Sequence, residues 1–149
     1  MIKDFKLEST KEKEVALDKY KGKKLVLFYY PKDDTKGCTI EAIGFRDLYG
    51  EFLMEDTEVV GMSRDGIKSH KNFIEKYDLN MELISDKSRT FAEDNDLLAP
   101  GKMFGKDVLK TKRTSFLFDE NSNLIKRFDN VDPETHPIEV LEYIRKLDK

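Results

Sequence analysis

The chain has 149 residues, 38% hydrophobic and 38% charged, with a formal net charge of −3 and one cysteine. That length fits one domain, residues 1–149, around a single core. The mild, mixed-sign charge gives no electrostatic case for nucleic acid or an anionic membrane. No apolar stretch approaches the ~20 residues of a membrane-spanning helix, and one cysteine can make neither an intrachain disulfide nor a multi-cysteine zinc site. The opening Met1-Ile2-Lys3-Asp4-Phe5-Lys6 lacks the apolar run of a signal peptide, so a cytoplasmic location is expected.

Leu17 to Gly22 carry too weak a pattern to assign. Residues 24–30, Lys24-Leu25-Val26-Leu27-Phe28-Tyr29-Tyr30, form a continuous apolar run that stops at Pro31, the signature of a buried strand. Residues 38–54 read as a helix and 58–63 as a second strand. Residues 66–78 read as a helix with Ile67, Phe73, Ile74 and Tyr77 apolar, and 81–85 as a short strand. Residues 88–95 are a short helix or turn. Residues 99–112, poorly periodic and holding Pro100, Gly101 and Gly105, read as a loop. Residues 113–119 and 124–129 form a hairpin around Asn121-Ser122-Asn123, and 137–147 a closing helix with Pro137 at its first position. This alternation points to an α/β fold with a central mixed sheet flanked by helices. In such sheets, sites gather beyond the carboxyl ends of the strands.

Cys38 lies in that place, after Pro31-Lys32-Asp33-Asp34-Thr35-Lys36-Gly37. A lone cysteine is commonly a small buried hydrophobe. At a helix mouth, however, a thiol meets unpaired N–H groups and the positive end of the helix dipole, which favour the nucleophilic thiolate. At about 100° per residue, Ala42, Leu48, Tyr49, Phe52 and Leu53 form one stripe about Phe45, and Cys38 falls about 20° from its centre. Glu41 falls about 40° to the other side. An inward carboxylate needs a cation or several donors, and Arg113, opening the strand before Thr114-Ser115-Phe116, reads either as that cation, if the two strands are neighbours, or as a solvated strand-end charge. Thr35 can act at the helix mouth, as a plain N-cap, or both. His70 and His136 have no ligand-like spacing and read as surface residues. Asp33, Asp34 and Asp119 read as turn or cap residues, and Arg46, Arg64, Arg89, Arg127 and Arg145 as surface charges. Met103 and Phe104 read either as an apolar pocket wall or as loop anchors. No metal or cofactor is expected.

The segment Phe28-Tyr29-Tyr30-Pro31-Lys32-Asp33-Asp34-Thr35-Lys36-Gly37-Cys38-Thr39-Ile40-Glu41-Ala42 resembles the active-site segment of peroxiredoxins, in particular the bacterioferritin comigratory protein (peroxiredoxin Q) subfamily. Gly44-Phe45-Arg46-Asp47-Leu48-Tyr49, Met103-Phe104-Gly105-Lys106 and Arg113-Thr114-Ser115-Phe116-Leu117-Phe118-Asp119 also resemble it. The resemblance implies a thioredoxin-like fold and a thiol peroxidase acting on hydrogen peroxide or alkyl hydroperoxides. It implies that Cys38 is the peroxidatic cysteine and that Thr35 and Arg113 position the peroxide. Pro31 then shapes and shields the pocket, Glu41 orients the arginine, and Gly37, Thr39 and Tyr30 lie against the substrate. Many members of the subfamily carry a resolving cysteine five residues after the peroxidatic one, where this chain has Ile43. The chain therefore reads as a one-cysteine variant, monomeric or homodimeric. Its sulfenic acid needs an external thiol such as thioredoxin, glutaredoxin or a low-molecular-weight thiol, a second Cys38, or a direct reductant. The alternative is a redox sensor of the same fold with little turnover. A disulfide oxidoreductase of thioredoxin type would need a Cys-x-x-Cys pair that is not present.

Overall fold

The computed structural model describes residues 2–147. A 3-10 turn at Leu17–Tyr20 leads into β1 (Lys24–Tyr29), α1 (Lys36–Met54), β2 (Thr57–Ser63), α2 (Ile67–Tyr77), β3 (Glu82–Ser85) and α3 (Thr90–Asp94). Then come β4 (Leu98–Met103), β5 (Lys106–Thr111), β6 (Thr114–Phe118), β7 (Leu124–Phe128) and α4 (His136–Leu147). The central sheet has the order β3-β2-β1-β6-β7. β1, β2 and β3 run parallel, while β6 is antiparallel to both β1 and β7. It is the mixed sheet flanked by helices that the sequence implies.

β1 is buried almost throughout because both faces of the sheet are covered. Side chains alternate along a strand. Val26 and Phe28, with Tyr30 just beyond, enter a layer containing Ala42, Phe45 and Phe52 of α1, Phe73 of α2 and Val140, Leu141 and Ile144 of α4. Leu25, Leu27 and Tyr29 face the opposite layer, with Phe5, Val15, Phe91 and Phe116. Phe45 stacks on Phe28 with ring centroids 4.5 Å apart. Burying one such ring stabilises the fold by about 1.5–3 kcal/mol, which ties α1 firmly to β1. Gly44 lets α4 approach, since a Cβ there would lie 2.7 Å from Pro137 Cγ. Leu53 departs from the expected stripe; it is exposed at the rim, while Leu48 and Tyr49 are half-buried.

Residues 99–112 are not a loop. β4 and β5 make a separate antiparallel hairpin, paired from Leu98–Thr111 to Met103–Lys106. Phe104 and Gly105 both have positive φ, 53° and 77°, as a tight two-residue hairpin turn demands. Most of the hairpin is exposed on both faces, so no apolar alternation marks it in the sequence. Phe104, 97% exposed at the tip, neither walls a pocket nor anchors a loop, and Met103 is also exposed.

Both histidines are fully buried, against expectation. His136 lies between Glu139 Oε1 (2.8 Å) and Ser115 Oγ (2.7 Å), and burial lowers its pKa. His70 occurs one turn before Phe73 on the apolar stripe of α2. Three arginines read as surface charges brace the backbone instead. Arg46 donates to Tyr77 O at 2.7 Å and Arg89 to Leu109 O at 2.8 Å. Arg127 donates to Asn95 O and Asp96 O.

Candidate active site

β1 ends at Tyr29 and the chain turns away from the sheet through residues 30–35. Asp34 takes the left-handed conformation, φ 56°, which aspartate tolerates better than most residues. Thr35 is extended and is the N-cap of α1. The first helical bond runs from Thr39 N–H to Thr35 O, 2.8 Å. The helix therefore starts two residues before Cys38, and the N–H groups of Gly37 and Cys38 belong to its unpaired first turn.

Cys38 sits on the inward face, 1% exposed. Glu41, one turn on, is wholly buried on the same face. Arg113 enters from the sheet. Thr114 pairs with Tyr29 across β6 and β1, so Arg113 stands beside the loop that β1 feeds. Its Nη1 donates to Glu41 Oε1 at 3.0 Å. Nη1 and Nη2 each lie 3.5 Å from Cys38 Sγ. One guanidinium thus joins the sulfur to the carboxyl, as the helical geometry and the strand order together require.

Gly37 makes room for this fork. A Cβ at that position would lie 2.9 Å from Arg113 Nη2 and 3.6 Å from Pro133 Cγ. The sequence alone does not show the glycine's role in placing the arginine, because it depends on a residue 76 positions away arriving over the helix.

Burial pushes the Glu41 carboxyl up to about 7, against the pull of Arg113. Glu41 Oε2 has no hydrogen-bond partner among the described residues. A short ion pair and a raised pKa oppose each other here. Burial is the larger effect because only one of the two oxygens is satisfied. Burial also opposes the charge of Arg113, but Cys38 and Glu41 outweigh it and hold the guanidinium above its ordinary value.

Thr35 does not use its side chain as a cap. Its hydroxyl donates to Lys32 O at 2.8 Å, which leaves its oxygen lone pairs to accept from a solute. Pro31 and Thr39 are partly exposed around the same mouth. Tyr30, expected against the substrate, lies instead in the core with no exposed surface. Its hydroxyl donates to Asp33 Oδ1 at 2.6 Å. Asp33 is itself buried and partners His70, a role that a turn-residue reading did not anticipate. Asp119 does serve a turn, accepting from the N–H groups of Asn121 and Asn123. Among the described residues, no group of three or more His, Cys, Asp or Glu side chains could hold a metal ion.

Residues 1–127 match the AhpC/TSA family. A putative peroxiredoxin bcp of Coxiella burnetii is 39% identical over 92% of this chain and 91% of its own. Peroxiredoxin Bcp of Bacillus subtilis is 37% identical over 97% of this chain and 92% of its own. A solved structure of the Xanthomonas campestris bacterioferritin comigratory protein, studied for alkyl peroxide reduction, superposes with a TM-score of 0.90. It is 30% identical over 97% of this chain and 92% of the other.

Proposed function

The chain belongs to the AhpC/TSA family, and from that premise we infer that it is a one-cysteine peroxidase of the Bcp/peroxiredoxin Q kind, whose chemistry runs through Cys38, Arg113, Thr35 and Glu41. It is a thiol-dependent peroxidase, with a peroxide substrate and a thiol reductant. The observation that carries the assignment of residues is the Arg113 fork, which touches the only sulfur of the cysteine complement and a buried carboxyl at once.

The thiolate of Cys38 attacks one peroxide oxygen. A sulfur–oxygen bond forms, the O–O bond breaks, and its electron pair leaves on the departing oxygen, which takes a proton from water. The guanidinium stabilises the anion on sulfur at the start. Along the reaction, charge moves to the leaving oxygen, where Arg113 and the N–H groups of Gly37 and Cys38 supply donors in a water-poor site. Removing one such preorganised donor typically costs about 10²–10³ in rate. Thr35 accepts from the peroxide O–H, since its own proton is held by Lys32 O. Glu41 keeps Arg113 aimed. Pro31 and Thr39 border the mouth, and alkyl hydroperoxides react alongside hydrogen peroxide.

The product is a sulfenic acid on Cys38. With Ile43 at the position a resolving cysteine takes in many relatives, an external thiol condenses with it, releasing water and leaving a mixed disulfide. A second thiol then returns Cys38 to its reduced form. The test is peroxide consumption in excess over enzyme with dithiothreitol as reductant. Sustained turnover is expected. Consumption of one equivalent followed by arrest would instead favour a sensor that is oxidised once and read by a partner.

A further inference from the structure

The loop that carries Thr35 is not held by α1 alone. Asp33, two residues before Thr35, turns inward and receives Tyr30 O–H on Oδ1 at 2.6 Å. Its Oδ2 receives Ser69 O–H at 2.8 Å and faces His70 Nδ1 at 2.8 Å. Its own N–H donates to Asp65 Oδ2 at 2.8 Å. His70 Nε2 is 3.0 Å from Ile84 O; a carbonyl only accepts, so Nε2 carries a hydrogen. The next residue, Asp34, turns outward and takes Lys76 Nζ at 2.7 Å and Tyr77 O–H at 2.5 Å. Four side chains of α2 (Ser69, His70, Lys76 and Tyr77) thus grip two consecutive residues of the loop.

We propose that Asp33 and His70 are positioning residues for peroxide reduction: their buried contact clamps the 31–35 loop to α2 and sets where Thr35 meets the peroxide. No hydrogen bond or ion pair among the described residues joins this network to Cys38 or Arg113, whose own polar contacts run between α1 and the start of β6. The clamp therefore acts on the peroxide side of the reaction and leaves the sulfur side alone. Solvent-facing turns seldom bury a carboxylate among three side-chain partners, and Asp33 does so two residues before Thr35. Misplacing a positioned group by about 1 Å can cost about 10²-fold in rate.

The inference rests on the peroxidase reading, and the test compares two rates on the full-length protein. One is oxidation of Cys38 by hydrogen peroxide, which needs Thr35. The other is alkylation of Cys38 by iodoacetamide, which needs only an accessible thiolate. Asp33→Ala is expected to slow peroxide oxidation by at least about tenfold while alkylation stays within about twofold. Asp33→Asn restores most of the peroxide rate, because its oxygen accepts from Tyr30 and its amide can donate to Nδ1 of the tautomer whose Nε2–H faces Ile84 O. If Asp33→Ala does not fold, Ser69→Ala, which removes one donor at a half-buried position, should give a smaller loss in the same direction. Three results would overturn the clamp: an unaltered peroxide rate in folded Asp33→Ala, a parallel fall of both rates, or an unaltered Ser69→Ala where Asp33→Ala is unfolded. Failure of the peroxidase reading would look different, as slow peroxide oxidation of the unaltered protein.

Discussion

Glu41 poses a direct contest between burial and an ion pair, and Glu41→Gln decides it. The comparison is made in a Cys38→Ser background, which removes thiol titration and oxidation. In the folded chain the carboxyl is raised from 4.5 to about 7, chiefly by burial. The folded state therefore keeps a proton that the unfolded chain releases at lower pH. The sign follows: the contribution of this group is fully present below pH 4.5 and is lost as pH rises through about 7. At about 1.4 kcal/mol per pH unit, the window corresponds to about 3 kcal/mol. Glutamine keeps an oxygen for Arg113 but does not ionise, so the variant lacks this loss. His136 titrates in the opposite sense, its pKa being lowered by burial, but it is common to both proteins and cancels in the difference. Urea unfolding between about pH 4.5 and 8 should show Glu41→Gln gaining about 3 kcal/mol relative to its parent. A difference that stays flat with pH, or one that moves in favour of the parent, would mean that the 3.0 Å pair with Arg113 prevails over burial.

Arg113→Ala should slow peroxide oxidation by about 10²–10³-fold, while alkylation of Cys38 falls far less, because the arginine serves the leaving oxygen as well as the sulfur. Stopped-flow oxidation beside an alkylation time course measures both. Gly37→Ala should separate stability from rate. Helix propensity favours alanine by about 1 kcal/mol, yet the added Cβ would meet Arg113 Nη2 at 2.9 Å; the expected result is an unimpaired midpoint of unfolding with oxidation slowed about tenfold. Phe104→Ser should change unfolding stability by less than about 0.5 kcal/mol, since the ring is 97% exposed, and thermal denaturation checks it.

The sequence shows the Cys38–Glu41–Arg113 cluster because each member obeys a simple rule. An inward carboxylate on the stripe of α1 demands a cation, and Arg113 opens a strand that lies next to β1. Strands buried on both faces, β1 and β6, announce themselves as apolar runs. The β4–β5 hairpin does not, since no core selects one of its faces; its one local signal was Phe104-Gly105. The Asp33–His70 pair was hidden for a different reason. Composition places aspartate in turns and an isolated histidine at the surface, whereas here each satisfies the other in the interior. The trace of it in the sequence is the spacing of His70 between Ile67 and Phe73, which puts it on the buried side of α2.

The central claim is that Cys38 is the reacting group of a peroxidase. It is tested most directly by adding substoichiometric hydrogen peroxide, following thiol loss in time and weighing the intact protein. The account predicts loss about 10³-fold or more faster than an ordinary free cysteine, with one oxygen atom gained at Cys38, trapped as a sulfenic acid adduct. Loss no faster than that of free cysteine would contradict it, whatever the geometry around the sulfur.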